Sequence, residues 1–216
     1  MSLTLYYHPL SSFCQKALFA LYENDTPFEK HFVDLFNQES KAAFLKIWPM
    51  GKFPVLRDNA RDWMVPESSI IIEYLQQHYP GKTSFLPSDA DKARQTRMFD
   101  RFFDLYVNSP MQKIVVDRLR PAGKNDSFGV EQARTQLQTA LGMVEQDMAK
   151  KTWAMGDVFS MADCAAAPAL WFANVVMPFA STHKNTSAYL QRLTNRPAFA
   201  RALKEAEPYL AAMPKQ

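Results

Sequence analysis

Cysteine is scarce in this chain. The two that occur, Cys14 and Cys164, lie far apart, so neither a disulfide framework nor a zinc-ligand spacing is suggested, and each thiol has to be judged alone. Long apolar runs are missing as well. No stretch of about 18 uninterrupted apolar residues occurs, which excludes an ordinary membrane-spanning helix. The opening Met1-Ser2-Leu3-Thr4-Leu5-Tyr6-Tyr7 has neither the basic region nor the apolar length of a signal peptide, so a cytoplasmic location is expected. Nor is charge of one sign concentrated anywhere. Lys and Arg number 25 against 22 Asp and Glu, a formal net charge of +3, and no basic run is long enough to follow a phosphate backbone, so nucleic acid is not an expected partner.

What is present is an ordinary globular balance, 47% hydrophobic and 22% charged over 216 residues, enough to bury a core in one or two domains. Leu3 to Tyr7 reads as a buried strand, broken by His8-Pro9-Leu10 before a helix that carries Phe13, Ala17, Leu18 and Leu21 at helical spacing. Phe28 to Val33, Phe53 to Leu56 and Trp63 to Val65 read as further strands, with helices at Ser40 to Ile47 and Ser68 to Tyr79. The order is βαβαββα. Periodicity then lapses over residues 81–89, which gather Gly81, Ser84, Pro87 and Ser88 as a linker does. Beyond it only helices are expected: Lys92 to Val107, Val130 to Lys150, Met161 to Val176, Thr186 to Thr194 and Ala198 to Leu210. The expectation is a first domain over 1–80 with a mixed four-stranded sheet, a linker over 81–89 and an all-α domain over 90–216. The loop from Pro121 to Phe128 is expected to be the least ordered stretch.

Four segments carry chemistry. Ser11-Ser12-Phe13-Cys14 stands where a strand hands over to a helix, a place where free N–H groups and the helix dipole favour an anion. A serine there is also an ordinary helix cap. Thioredoxin-like redox proteins place C-x-x-C at such a corner. Here Ser11 stands at the first, attacking position and Cys14 at the second, which points to holding another molecule's thiolate more than to disulfide exchange. In Gly51-Lys52-Phe53-Pro54-Val55-Leu56, Pro54 begins a strand and can sit in a cis bond, leaving the Phe53 backbone to pair with an extended peptide, while Lys52 can meet a carboxylate. Glu67-Ser68 opens the next helix; Ser68 can cap it or bind a carboxylate, and Glu67 can bind an ammonium group. Ser160 and Asp163 form a capping box with Phe159 before it, a structural device, and Pro168 is expected to kink the helix that follows.

Together and in this order, these segments resemble the cytosolic glutathione transferase superfamily, and in particular its serine-type members, the theta and zeta classes and bacterial relatives of that type. The resemblance covers nearly the whole chain. It implies a thioredoxin-like N-terminal domain and a helical C-terminal domain, a homodimer, and an enzyme that uses glutathione as co-substrate, without a metal, to attack a hydrophobic electrophile, as in detoxification. It implies Ser11 as the residue activating the thiol and Ser12, Lys52, Phe53, Pro54, Glu67 and Ser68 as glutathione contacts, with Pro54 in a cis bond. Zeta enzymes carry Ser-Ser-Cys, whereas Phe13 intervenes here, which counts against zeta-type isomerisation. Tyr7 stands near the catalytic tyrosine of other classes and competes with Ser11. Leu10, Tyr106, Met111 and Trp171 are candidate contacts for the second substrate. A Cys14-dependent thiol transferase and a non-catalytic binding protein are the alternative readings.

Overall fold

The computed structural model describes residues 2–212. Four strands form one sheet in the order β2-β1-β3-β4, with β1 spanning Leu3–Tyr7, β2 Glu29–Phe32, β3 Val55–Asp58 and β4 Trp63–Pro66. β1 runs parallel to β2, and the other two pairings are antiparallel. Three helices belong to this half: α1 (Ser12–Glu23), α2 (Gln38–Ile47) and α3 (Ser68–His78). The remainder of the described chain is helical, with α4 (Ala90–Phe102), α5 (Ser109–Arg118), α6 (Ser127–Met148), α7 (Met161–Val176), α8 (Lys184–Thr194) and α9 (Pro197–Ala206). Among the described residues, no helix is long and apolar enough to cross a membrane.

Alternation places Leu3, Leu5 and Tyr7 on the buried face of β1, as a period of two requires of a half-covered sheet. β2, at the sheet edge, is exposed throughout and carries Glu29, Lys30 and His31, the kind of charged edge that discourages pairing with another chain. α1 differs from the other helices in being buried on nearly every side, with Phe13 alone of its residues partly open. A helix that is enclosed all round lies inside a molecule and not on its surface. One side of α1 packs on the sheet and α3. The other meets α7 and α9, where Phe19 stacks on Phe199 with ring centres 5.2 Å apart. One continuous apolar core therefore runs through both halves.

The segment between the halves is pinned, not loose. Asn24 exchanges two hydrogen bonds with the Thr83 backbone at 2.9 and 2.8 Å, Gln76 does the same with Leu86 at 3.0 and 2.8 Å, and Phe85 is buried. The loop after α5 is held by Asp117, which accepts from Asn125 and from the Asp126 N–H.

Most elements fall where the sequence pattern puts them, and the differences have physical causes. The helix expected over Lys92 to Val107 ends as α4 at Phe102 and continues as a π-helical segment, Phe103–Asn108, directly into α5. α5 was not expected from the pattern. Pro110 has no N–H to give to the carbonyl four residues back, so the hydrogen-bond register widens there by one residue, with the Ser109 N–H donating to the Asp104 carbonyl. The third strand begins at Val55, leaving Phe53 and Pro54 just ahead of it. The last expected helix closes at Ala206 and gives way to a 3₁₀ turn, Glu207–Ala212. α7 runs unbroken through Pro168.

The Ser160–Asp163 capping box is present, and Asp163 does more than cap. It is buried and accepts from the Ala154 N–H, the Ser160 N–H and the Ser160 and Tyr189 hydroxyls at 2.6 to 3.1 Å. Burial pushes its carboxyl above the usual range, and those four donors work in the opposite direction. Removing it leaves four buried donors unpaired. Asp163→Ala is expected to cost about 3 kcal/mol in urea unfolding; a loss below about 1 kcal/mol would show the box to be dispensable.

Candidate functional site

The sheet register gathers three separate segments at one end of the sheet. β1 pairs Tyr6 with Val55, and β4 pairs Pro66 with the same residue. One step further along those ladders are Tyr7, Pro54 and Glu67, so the loop after β1, the residues before β3 and the start of α3 come together. The Phe53–Pro54 peptide is cis, and the His8 ring stacks on Phe53 at 6.1 Å with 17° between planes.

Ser11 is the N-cap of α1. Its Oγ accepts the Cys14 N–H at 3.3 Å, and its own N–H goes to the His8 carbonyl at 3.0 Å. The hydroxyl accepts the Cys14 N–H and also lies against the Cys14 sulfur, so its proton can turn either to that buried thiol or to an acceptor outside the helix. Ser11 is partly exposed. Ser12, by contrast, is buried, and its Oγ takes a 3.4 Å hydrogen bond from Gln112 of α5, which turns it toward the helical half.

The other candidates divide in the same manner. Lys52 and Glu67 are exposed, and neither makes an ion pair among the described residues. Pro54 is buried, and Phe53 packs against the core from a half-buried position. Glu67, not Ser68, occupies the N-cap position of α3, and its side chain makes no cap bond. It does so with φ at 69°, a left-handed conformation that costs a non-glycine residue of order 1 kcal/mol. Ser68 is therefore the first helical residue, and plain capping is not its role. It is buried at the helix start, where the N–H groups of the first turn lack intrahelical partners.

Tyr7 faces inward from β1. Burial, followed by the charge of Glu205, pushes its hydroxyl up to about 12. Of the residues considered for a second substrate, Leu10 stands in the loop beside Ser11 with its N–H on His8 Nδ1 at 3.2 Å. Tyr106 is exposed on the π segment, Met111 is buried in the core, and Trp171 packs edge-on against Phe172 at 4.8 Å.

Two features had no signal in the sequence pattern. One is an aromatic wall, in which Tyr209 from the 3₁₀ turn stacks on Phe32 at 5.6 Å and meets His8 edge-on at 5.7 Å. Its members come from positions 8, 32 and 209, so no local spacing announces it. Burial holds the His8 imidazole below its usual range, against a smaller opposing effect of Asp34. The other is a polar stripe along the continuous α4–π–α5 helix, with Asp100, Asp104, Asn108 and Gln112 at every fourth residue. Asp100 and Asp104 reach Lys16 of α1, and Gln112 reaches Ser12. Asn108 between them is buried with neither amide atom hydrogen-bonded.

Cys14 has no solvent exposure. The His8 N–H points at its sulfur from 3.5 Å, and burial pushes the thiol up to about 12, outweighing the help of Ser11 and His8. A thiol pushed that way and shut off from solvent lacks both the thiolate character and the access of a nucleophile. In the native protein both cysteines are expected to resist an aromatic disulfide reagent and to react fully after unfolding. A native 1:1 mixed disulfide at Cys14 with oxidised glutathione, seen by mass spectrometry, would overturn this.

Among the described residues, no group of three or more His, Cys, Asp or Glu side chains is arranged to hold a metal. Comparison with known proteins gives a consistent result. The family model "Glutathione S-transferase, N-terminal domain" matches residues 5–83, and "Glutathione S-transferase, C-terminal domain" matches residues 102–197. The glutathione S-transferase GstB of Escherichia coli K12 is 27% identical over 199 residues, covering 91% of this chain and 95% of that protein. A glutathione S-transferase-like protein, LUC7, of a Fusarium species is 31% identical over 159 residues, covering 74% of this chain and 69% of that protein. Among solved structures, a glutathione S-transferase of Methylobacillus flagellatus KT, crystallised with glutathione bound, superposes with a TM-score of 0.85 at 24% identity, covering 93% of this chain and 98% of that one. The sheet topology, the cis Phe53–Pro54 bond, the capped start of α1 and these matches agree: the chain belongs to the glutathione S-transferase family.

Proposed function

We propose that the protein is a glutathione transferase in which Ser11 stabilises the glutathione thiolate for transfer to a small hydrophobic electrophile. The observation that carries this reading is the partly exposed Ser11 hydroxyl at the capped start of α1, on the same end of the sheet as Phe53 and Glu67, with a proton free to turn outward.

In this reading the residues from 1 to 80 hold glutathione. The residues from 90 onward, beyond the linker at 81–89, help to wall the second substrate. Glutathione lies extended with its cysteinyl backbone against Phe53 beside Pro54. Its ammonium group meets Glu67, its γ-glutamyl carboxylate meets Ser68 and the N–H groups at the start of α3, and its glycyl carboxylate meets Lys52. The sulfur then faces Ser11. A hydrogen bond from that hydroxyl, with the α1 N-terminus behind it, lowers a thiol pKa of about 8.5 by around two units, or roughly 2.7 kcal/mol of preference for thiolate. The thiol proton leaves to solvent, the sulfur lone pair forms the new bond to the electrophilic carbon, and the leaving group departs with its electron pair. Leu10 and the aromatic wall of His8, Phe32 and Tyr209 supply an apolar surface near that point. Ser12 contributes through its link to Gln112 and not by touching the ligand. A redox role through Cys14 runs against the burial of that thiol.

We also propose a homodimer formed through the outer faces of α3, α4 and α6. The bidentate Glu73–Arg97 pair places the exposed Ile70 and Met98 on one surface. Beside them opens an apolar cavity of about 200 Å³ between α4 and α6, flanked by Met98 and Met143, both more than half exposed. Exposed apolar side chains gathered about an apolar cavity on one face suit a subunit contact, and the occupant proposed is a second copy.

Ser11→Ala is expected to lower kcat/KM toward an activated aryl halide by roughly 100-fold, with the glutathione Kd changed by less than about threefold. Full activity in that variant together with collapse in Tyr7→Phe would move the role to Tyr7. Light scattering is expected to give twice the chain mass of 24.7 kDa. The double change Met98→Glu and Met143→Glu is expected to give the single-chain mass, and a dimer unaffected by it would place the contact elsewhere.

A further inference from the structure

The proposed chemistry leaves one buried ionic cluster unused, and it lies between the two helix N-termini that flank the glutathione site. Lys16, on the second turn of α1, is 1% exposed. Its Nζ stands 2.8 Å from Ser69 Oγ, 2.6 Å from Asp100 Oδ1 and 2.8 Å from Asp104 Oδ2. Ser69 in turn donates to Asp100 Oδ2 at 2.6 Å. Two of the three N–H bonds of this ammonium group go to Ser69 Oγ and Asp104 Oδ2, while Asp100 Oδ1 stands in ion-pair range without a hydrogen bond of its own. From the outer side, the Arg101 guanidinium approaches Asp104 at 3.5 Å.

Stability does not account for such a cluster. Removing ions from water costs several kcal/mol each, and apolar replacements of equal volume usually fold at least as well. What the cluster does have is a distinctive connectivity. Lys16 belongs to the helix that Ser11 caps, and Ser69 directly follows Ser68 at the start of α3. Asp100 and Asp104 bracket the passage from α4 into the π segment of the helical half. One ammonium group thus grips both helix starts and fixes them to a third, independent element. Anion binding at a helix N-terminus falls off within a single turn, and a donor displaced by about 1 Å loses most of its value in a reacting site. The relative placement of the two starts therefore matters to both ends of the ligand.

We infer that Lys16, with Asp100, Asp104 and Ser69, is a positioning cluster that sets the α1 and α3 N-termini relative to each other, and through them the affinity for glutathione and the ionisation of its thiol. This rests on the glutathione site proposed above. None of the four residues touches the ligand.

Two variants test it. Ser69→Ala cuts the link to α3 and keeps the ion pairs. The triple change Lys16→Met, Asp100→Asn and Asp104→Asn removes the charge at nearly constant volume. For each, glutathione Kd is measured by calorimetry, the ionisation of bound glutathione by its ultraviolet thiolate absorbance against pH, and folding by Tm. The titratable groups around Ser11, namely Tyr7, His8 and Cys14, are unchanged in both variants. Ser69→Ala is expected to weaken glutathione binding roughly fivefold, and the triple variant to raise the bound-thiol midpoint by about one pH unit. A lowered Tm with Kd and midpoint as in the wild type would overturn the inference, leaving the cluster a purely structural device. If the triple variant does not fold, Ser69→Ala decides alone. A wild-type protein that binds no glutathione overturns both this inference and the proposed function, whereas wild-type binding with unaltered variants overturns this one only.

Discussion

Everything about this molecule is arranged around a helix that has no free side. α1 must satisfy the sheet and α3 on one flank and α7 and α9 on the other, and its first turn must still open to solvent at Ser11. That combination explains its composition. Apolar residues such as Ala17, Leu18 and Leu21 fill the interior, while Ser12, Gln15 and Lys16, all buried, find polar partners in Gln112, the Pro9 carbonyl, Ser69 and the two aspartates, with Gln15 Oε1 left unpaired among the described residues. A buried polar group left without a partner costs more than a typical hydrogen bond gains. The helical half is thus more than a cover for the apolar face of α1, because it also supplies polar partners, a donor to Ser12 from Gln112 and carboxylates to Lys16 from Asp100 and Asp104. The shared core and the pinned segment over 81–89 follow from the same constraint.

The sequence made the fold legible where one local rule acted alone. β1 shows period-two burial, and α7 follows a capping box and runs to its expected end. It was less legible where two rules met. Pro110 reads as a helix stop, yet the chain passes it by widening one turn, so α5 was hidden behind its own first residues. At Ser68 the residue type suggests a cap, but the backbone reverses one position earlier, with Glu67 in the left-handed region. Nothing in the side chains of a Pro-Glu-Ser-Ser run reveals which peptide will turn.

The site shows the same division. Ser11, Phe53, Pro54 and Glu67 stand at corners with recognisable turn chemistry, and the strand register then brings them together. Ser12 is expected from the sequence as a glutathione contact beside the activating Ser11; Ser11 is the partly exposed, extended cap of α1, whereas Ser12 is its first helical residue, buried with its Oγ on Gln112. Residues that meet only through the tertiary fold gave no local sign. His8, Phe32 and Tyr209 form one wall from three distant positions, and Lys16 finds aspartates 84 and 88 positions away.

The π segment has a consequence best put in terms of chain length. Along an ordinary α-helix, residues four apart overshoot a full turn by about 40°, so a stripe at every fourth residue winds off its face within a few repeats. Asp100, Asp104, Asn108 and Gln112 nevertheless extend over twelve residue steps, and the two ends of that stripe still reach the same helix, at Lys16 and at Ser12. The wider turn between Phe103 and Asn108 takes up the excess and brings the stripe back into phase. The π segment thus absorbs one residue more than a regular helix needs between the two ends of the stripe. Eleven steps of about 100° already close three full turns to within about 20°, so loss of a single residue here would give a regular helix with Gln112 still facing Ser12, whereas straightening the segment at its present length would turn Gln112 away.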